Sequence, residues 1–179
     1  MAFSEVHHVA LTVSDMDQSL AFFCELLGFR KTLDMQLSGS SFEKLFRLQP
    51  GATARSVILQ QGKSRVGELE LLVFQGPGLQ KSSGPKRPGD PGLLMLSFEV
   101  RQESLQTVAQ RLKARNVPFF CDPVDLDLPG YGPIRSLMVE DPDGALVELV
   151  ELPPREEGLK VGAEKSGSQS RSGRRPIAN

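Results

Sequence analysis

Cysteine is scarce in this chain of 179 residues, which holds only Cys24 and Cys121. Two thiols so far apart exclude a disulfide scaffold and a zinc knuckle, and they read as ordinary buried side chains. An excess of either charge is missing as well. Lys and Arg number 21 and Asp and Glu 22, for a formal net charge of -1. That balance leaves no electrostatic footprint for nucleic acid or for an anionic membrane. No apolar run approaches the roughly 20 residues that span a bilayer. The opening Met1-Ala2-Phe3-Ser4-Glu5 lacks the basic and apolar regions of a signal peptide, so a cytoplasmic protein is expected. What remains is a chain with 39% hydrophobic residues, long enough to bury a real core in one domain or two small ones.

The most informative stretch is Val6-His7-His8-Val9-Ala10-Leu11-Thr12-Val13. Read at the two-residue period of a strand, it puts His7, Val9, Leu11 and Val13 on one face. His8, Ala10 and Thr12 fall on the other. Leu94-Met95-Leu96-Ser97-Phe98-Glu99-Val100 repeats the plan, with Met95, Ser97 and Glu99 on its second face. Between the two strands the pattern predicts a helix over residues 19–27, capped by Gly28. A strand over 29–37 and a short helix over 42–48 follow, then strands over 56–60 and 68–74. Residues 76–92, rich in Gly, Pro, Ser and Lys, read as a linker.

The order then restarts. It gives a strand over 93–100, a helix over 103–115, and a strand beginning at 117–121. A long loop over 122–133 leads to strands over 135–139 and 145–152. Asp141-Pro142-Asp143-Gly144 marks the turn before the last strand. The expectation is an α+β fold of two tandem βαβββ units, residues 5–75 and 93–152. Residues 153–179 lose the apolar pattern and read as a flexible tail, with a basic cluster over 171–175.

The duplication aligns Glu70 with Glu148 and His8 with Met95. Each glutamate interrupts an apolar strand, where a carboxylate is costly unless it is paired or bound to a metal. One imidazole and two carboxylates suit a divalent Zn, Ni, Fe, Mn or Co ion. Glu68 shares the face of Glu70 and is an alternative to it, whereas His7 is expected on the face opposite His8. Phe42, Leu45 and Phe46 recur at helical spacing and form either a pocket wall or plain core. Tyr131, between Gly130 and Gly132, is either a pocket residue or an exposed turn.

Three motifs carry a resemblance. They are His8-Val9-Ala10-Leu11-Thr12-Val13-Ser14-Asp15-Met16, Leu26-Leu27-Gly28-Phe29, and Asp141-Pro142-Asp143-Gly144-Ala145-Leu146-Val147-Glu148-Leu149. Over roughly residues 5–152 the chain resembles the vicinal oxygen chelate superfamily. Its members include glyoxalase I, methylmalonyl-CoA epimerase, extradiol dioxygenases, and the bleomycin and fosfomycin resistance proteins.

The resemblance implies that the two units form one cup-shaped mixed sheet, with helices on its convex face. It implies metal ligands at His8, Glu70 and Glu148, with Met95 where a fourth ligand, usually His, sits. A thioether is a poor ligand for a hard ion, and a missing second histidine argues against an extradiol dioxygenase. The resemblance further implies a metal-assisted isomerase, epimerase or lyase acting on a small oxygenated substrate. It implies that Glu70 or Glu148 would be the proton-transferring base, and Thr12, Phe42, Phe46, Met95 and Tyr131 are expected around the substrate. Homodimers are common in the superfamily. The competing expectation is a metal-free cup that sequesters an apolar or aromatic molecule.

Overall fold

The computed structural model describes residues 4–64, 66–79, 84, 87–89, 91–129 and 132–153. Part of the linker, Tyr131 and the tail from residue 154 onward lie outside the described residues. Two βαβββ halves are present, and each builds a four-stranded mixed sheet. The first comprises β1 (His8–Thr12), β2 (Arg30–Leu37), β3 (Thr53–Gln60) and β4 (Glu68–Gln75), in the order β1-β4-β3-β2. The second comprises β5 (Met95–Glu99), β6 (Phe119–Leu128), β7 (Gly132–Glu140) and β8 (Leu146–Glu151), in the order β5-β8-β7-β6. The expected cup is thus built from two hydrogen-bonded sheets rather than one continuous one. In both, the first strand lies parallel to the last, and the other pairings are antiparallel.

The faces fall as strand periodicity requires. Along β1, exposed and half-buried residues alternate, with His8, Ala10 and Thr12 on the exposed side. Leu11 and Val13 turn into the core together with Leu69 and Leu71 of β4. On the second sheet Leu96, Phe98 and Val100 join the same core.

Helices α1 (Met16–Leu20) and α3 (Leu105–Ala114) cover these apolar faces. Phe23, Leu59, Leu71, Leu105, Leu112 and Leu137 are fully buried there, so both halves share one core. Three contacts tie the halves across it. Phe29 meets Phe98 edge-on at 5.2 Å between ring centroids, the Ser14 N–H donates to Asp143 Oδ2 at 3.0 Å, and Arg111 reaches the Leu26 carbonyl at 3.5 Å.

Helix α1 begins three residues earlier than the apolar stripe indicates. The Asp15 carboxylate accepts the Asp17 and Gln18 N–H groups and so starts the helix at Met16. Over Ala21–Leu26 the turns widen to i→i+5 spacing, as in the bond from Leu27 N–H to the Phe22 carbonyl. Gly28 then takes φ +76°, the left-handed geometry expected of it.

The larger difference lies in β6. The expected loop over 122–133 is mostly strand, pairing with β7 from Phe119 to Leu128. Pro123 sits at a register shift between Cys121 and Val124, where the ladder is already broken and a missing N–H costs nothing. β6 is also the outer edge of its sheet.

Helix α2 (Ser40–Phe46), between β2 and β3, adds a satellite cluster in which Phe42 packs with Ala54 and Leu72. At the turn before β8, Asp141 is buried and accepts the Asp143 and Ala145 N–H groups at 2.9 and 2.7 Å. Burial pushes its carboxyl above the ordinary value, against the pull of those N–H groups. Among the described residues no helix is long and apolar enough to cross a membrane.

Candidate active site

In the first sheet the β1–β4 register sets His8 beside Glu68 and Ala10 beside Glu70. The His8 imidazole reaches diagonally to Glu70, Nε2 to Oε2, at 3.4 Å. Its side chain is 42% exposed while that of Glu70 is 14% exposed, so the carboxylate sits inside and the imidazole at the opening. The other carboxylate oxygen, Oε1, accepts the Ser56 hydroxyl from β3 at 2.5 Å, and Ser56 is itself fully buried. Glu68 is occupied differently. The Gln60 amide donates to its Oε1 at 3.4 Å and also holds Arg30 and the Ser64 carbonyl, a framework contact that leaves Glu70 as the carboxylate facing the imidazole.

His7 is not on the opposite side, as strand parity suggested. It precedes β1, although its carbonyl accepts the Gly67 and Glu68 N–H groups, and it brings its Nδ1 to 2.9 Å from His8 Nδ1. One of the two rings must donate and the other accept. If His7 donates, the His8 proton lies on Nε2 and points at Glu70. If His8 donates, its Nε2 is a bare donor of electrons. A short polar pair just before the strand was the only signal for this arrangement.

The second sheet repeats the carboxylate with different neighbours. Ser136 of β7 donates to Glu148 Oε1 at 2.8 Å, and Ser97 of β5 donates to Oε2 at 2.6 Å. Both oxygens of Glu148 therefore carry a hydroxyl, whereas Glu70 has one hydroxyl and one imidazole. Neither Ser56 nor Ser136 was singled out in the sequence. The signal was there in part, because each is a hydroxyl that follows an arginine and precedes an apolar run, at a matching place in the duplication.

His8 and Glu70 thus come together. Among the described residues, however, no three His, Cys, Asp or Glu side chains are grouped closely enough to hold a metal, so Glu148 does not complete a three-ligand cluster with them. An imidazole and an inward carboxylate 3.4 Å apart fit the donor chemistry of a borderline divalent ion.

A cavity of about 1010 Å³ opens between the ends of β1 and β5. Thr12, Phe46 and Met95 line it, together with Leu11, Phe74 and Leu94. Phe42 does not. It is 8% exposed and packs beneath Phe46 and Phe74, at 5.2 and 6.2 Å between ring centroids. Tyr131 lies outside the described residues.

Two mixed sheets with helices over a shared core, and a paired imidazole and carboxylate on the open face, define a glyoxalase-type fold. Residues 5–149 match the model of the Glyoxalase/Bleomycin resistance protein/Dioxygenase superfamily. The chain belongs to that superfamily. It is 33% identical over 154 residues to a 2-epi-5-epi-valiolone epimerase of Actinomyces sp., covering 83% of this chain and 79% of the relative. A glyoxalase family protein from Bacillus cereus superposes with a TM-score of 0.73 at 18% identity, covering 85% of this chain and 98% of that one. The trypanothione-dependent glyoxalase I of Leishmania major gives a TM-score of 0.55 at 22% identity, over 83% and 87% of the two chains. These two likenesses speak for the fold.

Proposed function

We propose that the chain is a glyoxalase-like isomerase, epimerase or lyase that moves a proton on a small oxygenated substrate, with Glu70 as the base. The observation that carries this reading is the His8–Glu70 contact at 3.4 Å, backed by the Ser56 hydroxyl on the far oxygen of the same carboxylate. Ser56 occupies Oε1, so Oε2 is the oxygen available for chemistry. A carbon acid beside a carbonyl would lose its proton to Oε2 while the C–H electron pair moves onto the carbonyl oxygen. Delivery of a proton to the opposite face, from a second donor or from solvent, epimerises the carbon, and delivery to the neighbouring carbon isomerises it.

His8 and Glu70 would hold a divalent Zn, Ni, Fe, Mn or Co ion; Glu148, the third ligand of the superfamily pattern, is not grouped with them in this arrangement. Such an ion supplies Lewis-acid stabilisation of the developing oxyanion. Glu148, with a hydroxyl on each oxygen, is the more rigid carboxylate and suits a fixed acceptor or ligand role. The epimerase name of the Actinomyces relative supports the reaction type. We place the enzyme in the cytoplasm, working as a homodimer.

One observation favours a second reading. The cavity walled by Phe46, Phe74, Leu94 and Met95 is apolar and suits a metal-free binding protein that sequesters a small molecule.

The test pairs elemental analysis of the purified chain with deuterium exchange into 2-epi-5-epi-valiolone, followed by NMR. The enzyme reading expects a bound divalent ion, exchange beside the carbonyl that a chelator stops, and loss of exchange in Glu70→Gln. A chain that takes up none of Zn, Ni, Mn, Co or Fe(II) and leaves the probe unexchanged sinks it in favour of sequestration.

A further inference from the structure

We infer that the substrate is amphipathic, with an oxygenated head at the carboxylates and an alkyl or aryl body seated in the cavity between β1 and β5. The head of this proposal rests on the proton-transfer reading above; the body rests on the cavity alone.

Strand register places the two regions next to each other. Thr12 of the cavity wall pairs with Leu72, and Glu70 lies two residues before Leu72 on the same face of β4. Met95 of the wall pairs with Leu146, and Glu148 lies two residues after Leu146 on the same face of β8. Two residues of strand span about 7 Å. Each carboxylate is therefore one step along the pleat from the cavity, within reach of a single ligand that touches both.

The chemistry changes sharply over that step. At the carboxylate end of the step stand Glu70 with His8 and Ser56 in the first sheet, and Glu148 with Ser97 and Ser136 in the second, sets made for oxygen atoms. At the other end stand Phe46, Phe74, Leu94 and Met95, with Phe46 42% exposed and Leu93 at the rim 59% exposed. One polar group at the cavity rim, Asp143, already accepts the Ser14 N–H at 3.0 Å. Apolar surface left open in this way is costly in water and marks a binding region. At about 1010 Å³ the cavity matches the upper end of pockets that enclose drug-sized ligands, roughly 300–1,000 Å³. A wholly polar head of a few carbons would leave it filled with water against phenylalanine rings.

Calorimetry of the full chain with pyruvate, 2-oxooctanoate and phenylpyruvate tests this, because the three share a head and differ in the body. Each buried methylene tightens binding about fourfold. The proposal expects 2-oxooctanoate and phenylpyruvate to bind at least about tenfold tighter than pyruvate. Phe46→Ser and Met95→Gln, made separately in case one folds poorly, should each shrink that ratio. Glu70→Gln should shift the affinity of all three acids by a common factor, because they share the head.

Equal affinities, a ratio that survives both cavity variants, or no binding of any of the three would overturn the amphipathic class. The two readings fail separately. A missing body effect with Glu70→Gln still shifting pyruvate affinity removes the substrate class and keeps the proton-transfer site. A body effect that Glu70→Gln leaves untouched, for all three acids, keeps the cavity and removes the carboxylate head.

Discussion

Ser56 and Ser136 occupy equivalent positions in the two halves, and each donates its hydroxyl to the glutamate of its own sheet. Ser56 pairs with Leu72, two residues past Glu70, and Ser136 pairs with Val150, two residues past Glu148. The distances are 2.5 and 2.8 Å. The duplicated unit thus carries a serine–carboxylate pair, and the halves diverge only at the second oxygen. There Glu70 meets His8 and Glu148 meets Ser97.

Removing either serine should therefore loosen a half-buried carboxylate. Ser56→Ala and Ser136→Ala are each expected to cost about 1.5–3 kcal/mol in urea denaturation, the scale of a hydrogen bond to a charged group. Thr at either position should recover part of the loss. No change in either Ala variant would mean that water replaces the hydroxyl at no cost.

Asp34 provides an acid-side signature. Arg55, and after it Lys31, hold its carboxyl down to about 2 by direct hydrogen bonds. The folded chain binds this proton less tightly than the unfolded one. Its stabilisation is therefore complete above the ordinary carboxylate value of about 3.9 and is lost as pH falls from there towards about 2. Both partners are about a third exposed, so solvent screening leaves about 0.5 kcal/mol. Asp34→Asn should flatten the acid limb of the stability curve by that amount, and added salt should shrink the difference.

Asp141 behaves in the opposite sense. Burial raises its carboxyl, so the folded chain binds the proton more tightly than the unfolded chain does. Its contribution is greatest below the ordinary value and declines as pH rises through and above it. Asn at this position can still accept the Asp143 and Ala145 N–H groups without burying a charge. The melting temperature of Asp141→Asn at pH 7 is expected to equal or exceed that of the parent, with the difference narrowing below pH ~4. A fall in melting temperature at pH 7 would show that the charge itself holds the turn.

The phenylalanines of α2 should separate by burial. Phe42→Ala, at a site 8% exposed, should cost about 3 kcal/mol through the hole it leaves. Phe46→Ala, at a site 42% exposed, should cost well under half of that, about 1 kcal/mol, in the same denaturation assay.

Much of this arrangement could be read from the chain before the fold was known. The two faces of β1 were legible because a pleat alternates strictly, and the glutamates because a charge interrupts an apolar strand at matching places. The start of α1 was displaced because capping by Asp15 outweighs the apolar stripe. β6 was hidden by Pro123, Pro129 and Gly130, which normally mark a loop, although Val124, Leu126 and Leu128 alternate with Asp125 and Asp127 as a strand requires. His7 was misplaced because periodicity holds only inside the strand, and it lies one residue outside. The distance between Glu70 and Glu148 depends on how the halves pack, which no local pattern encodes.

The outer border of the second sheet is also a defence. β6 leaves one row of backbone groups unpaired, a natural template for another chain. Asp122, Asp125 and Asp127 lie along that border, the first two ion-paired with Lys113 and Arg135, and Pro123 removes a donor from the same strand. An identical strand approaching in register would meet its own charges and a missing hydrogen bond. Pro123, which helps to disguise this strand as a loop, thereby also makes the edge a poorer template for its own copies.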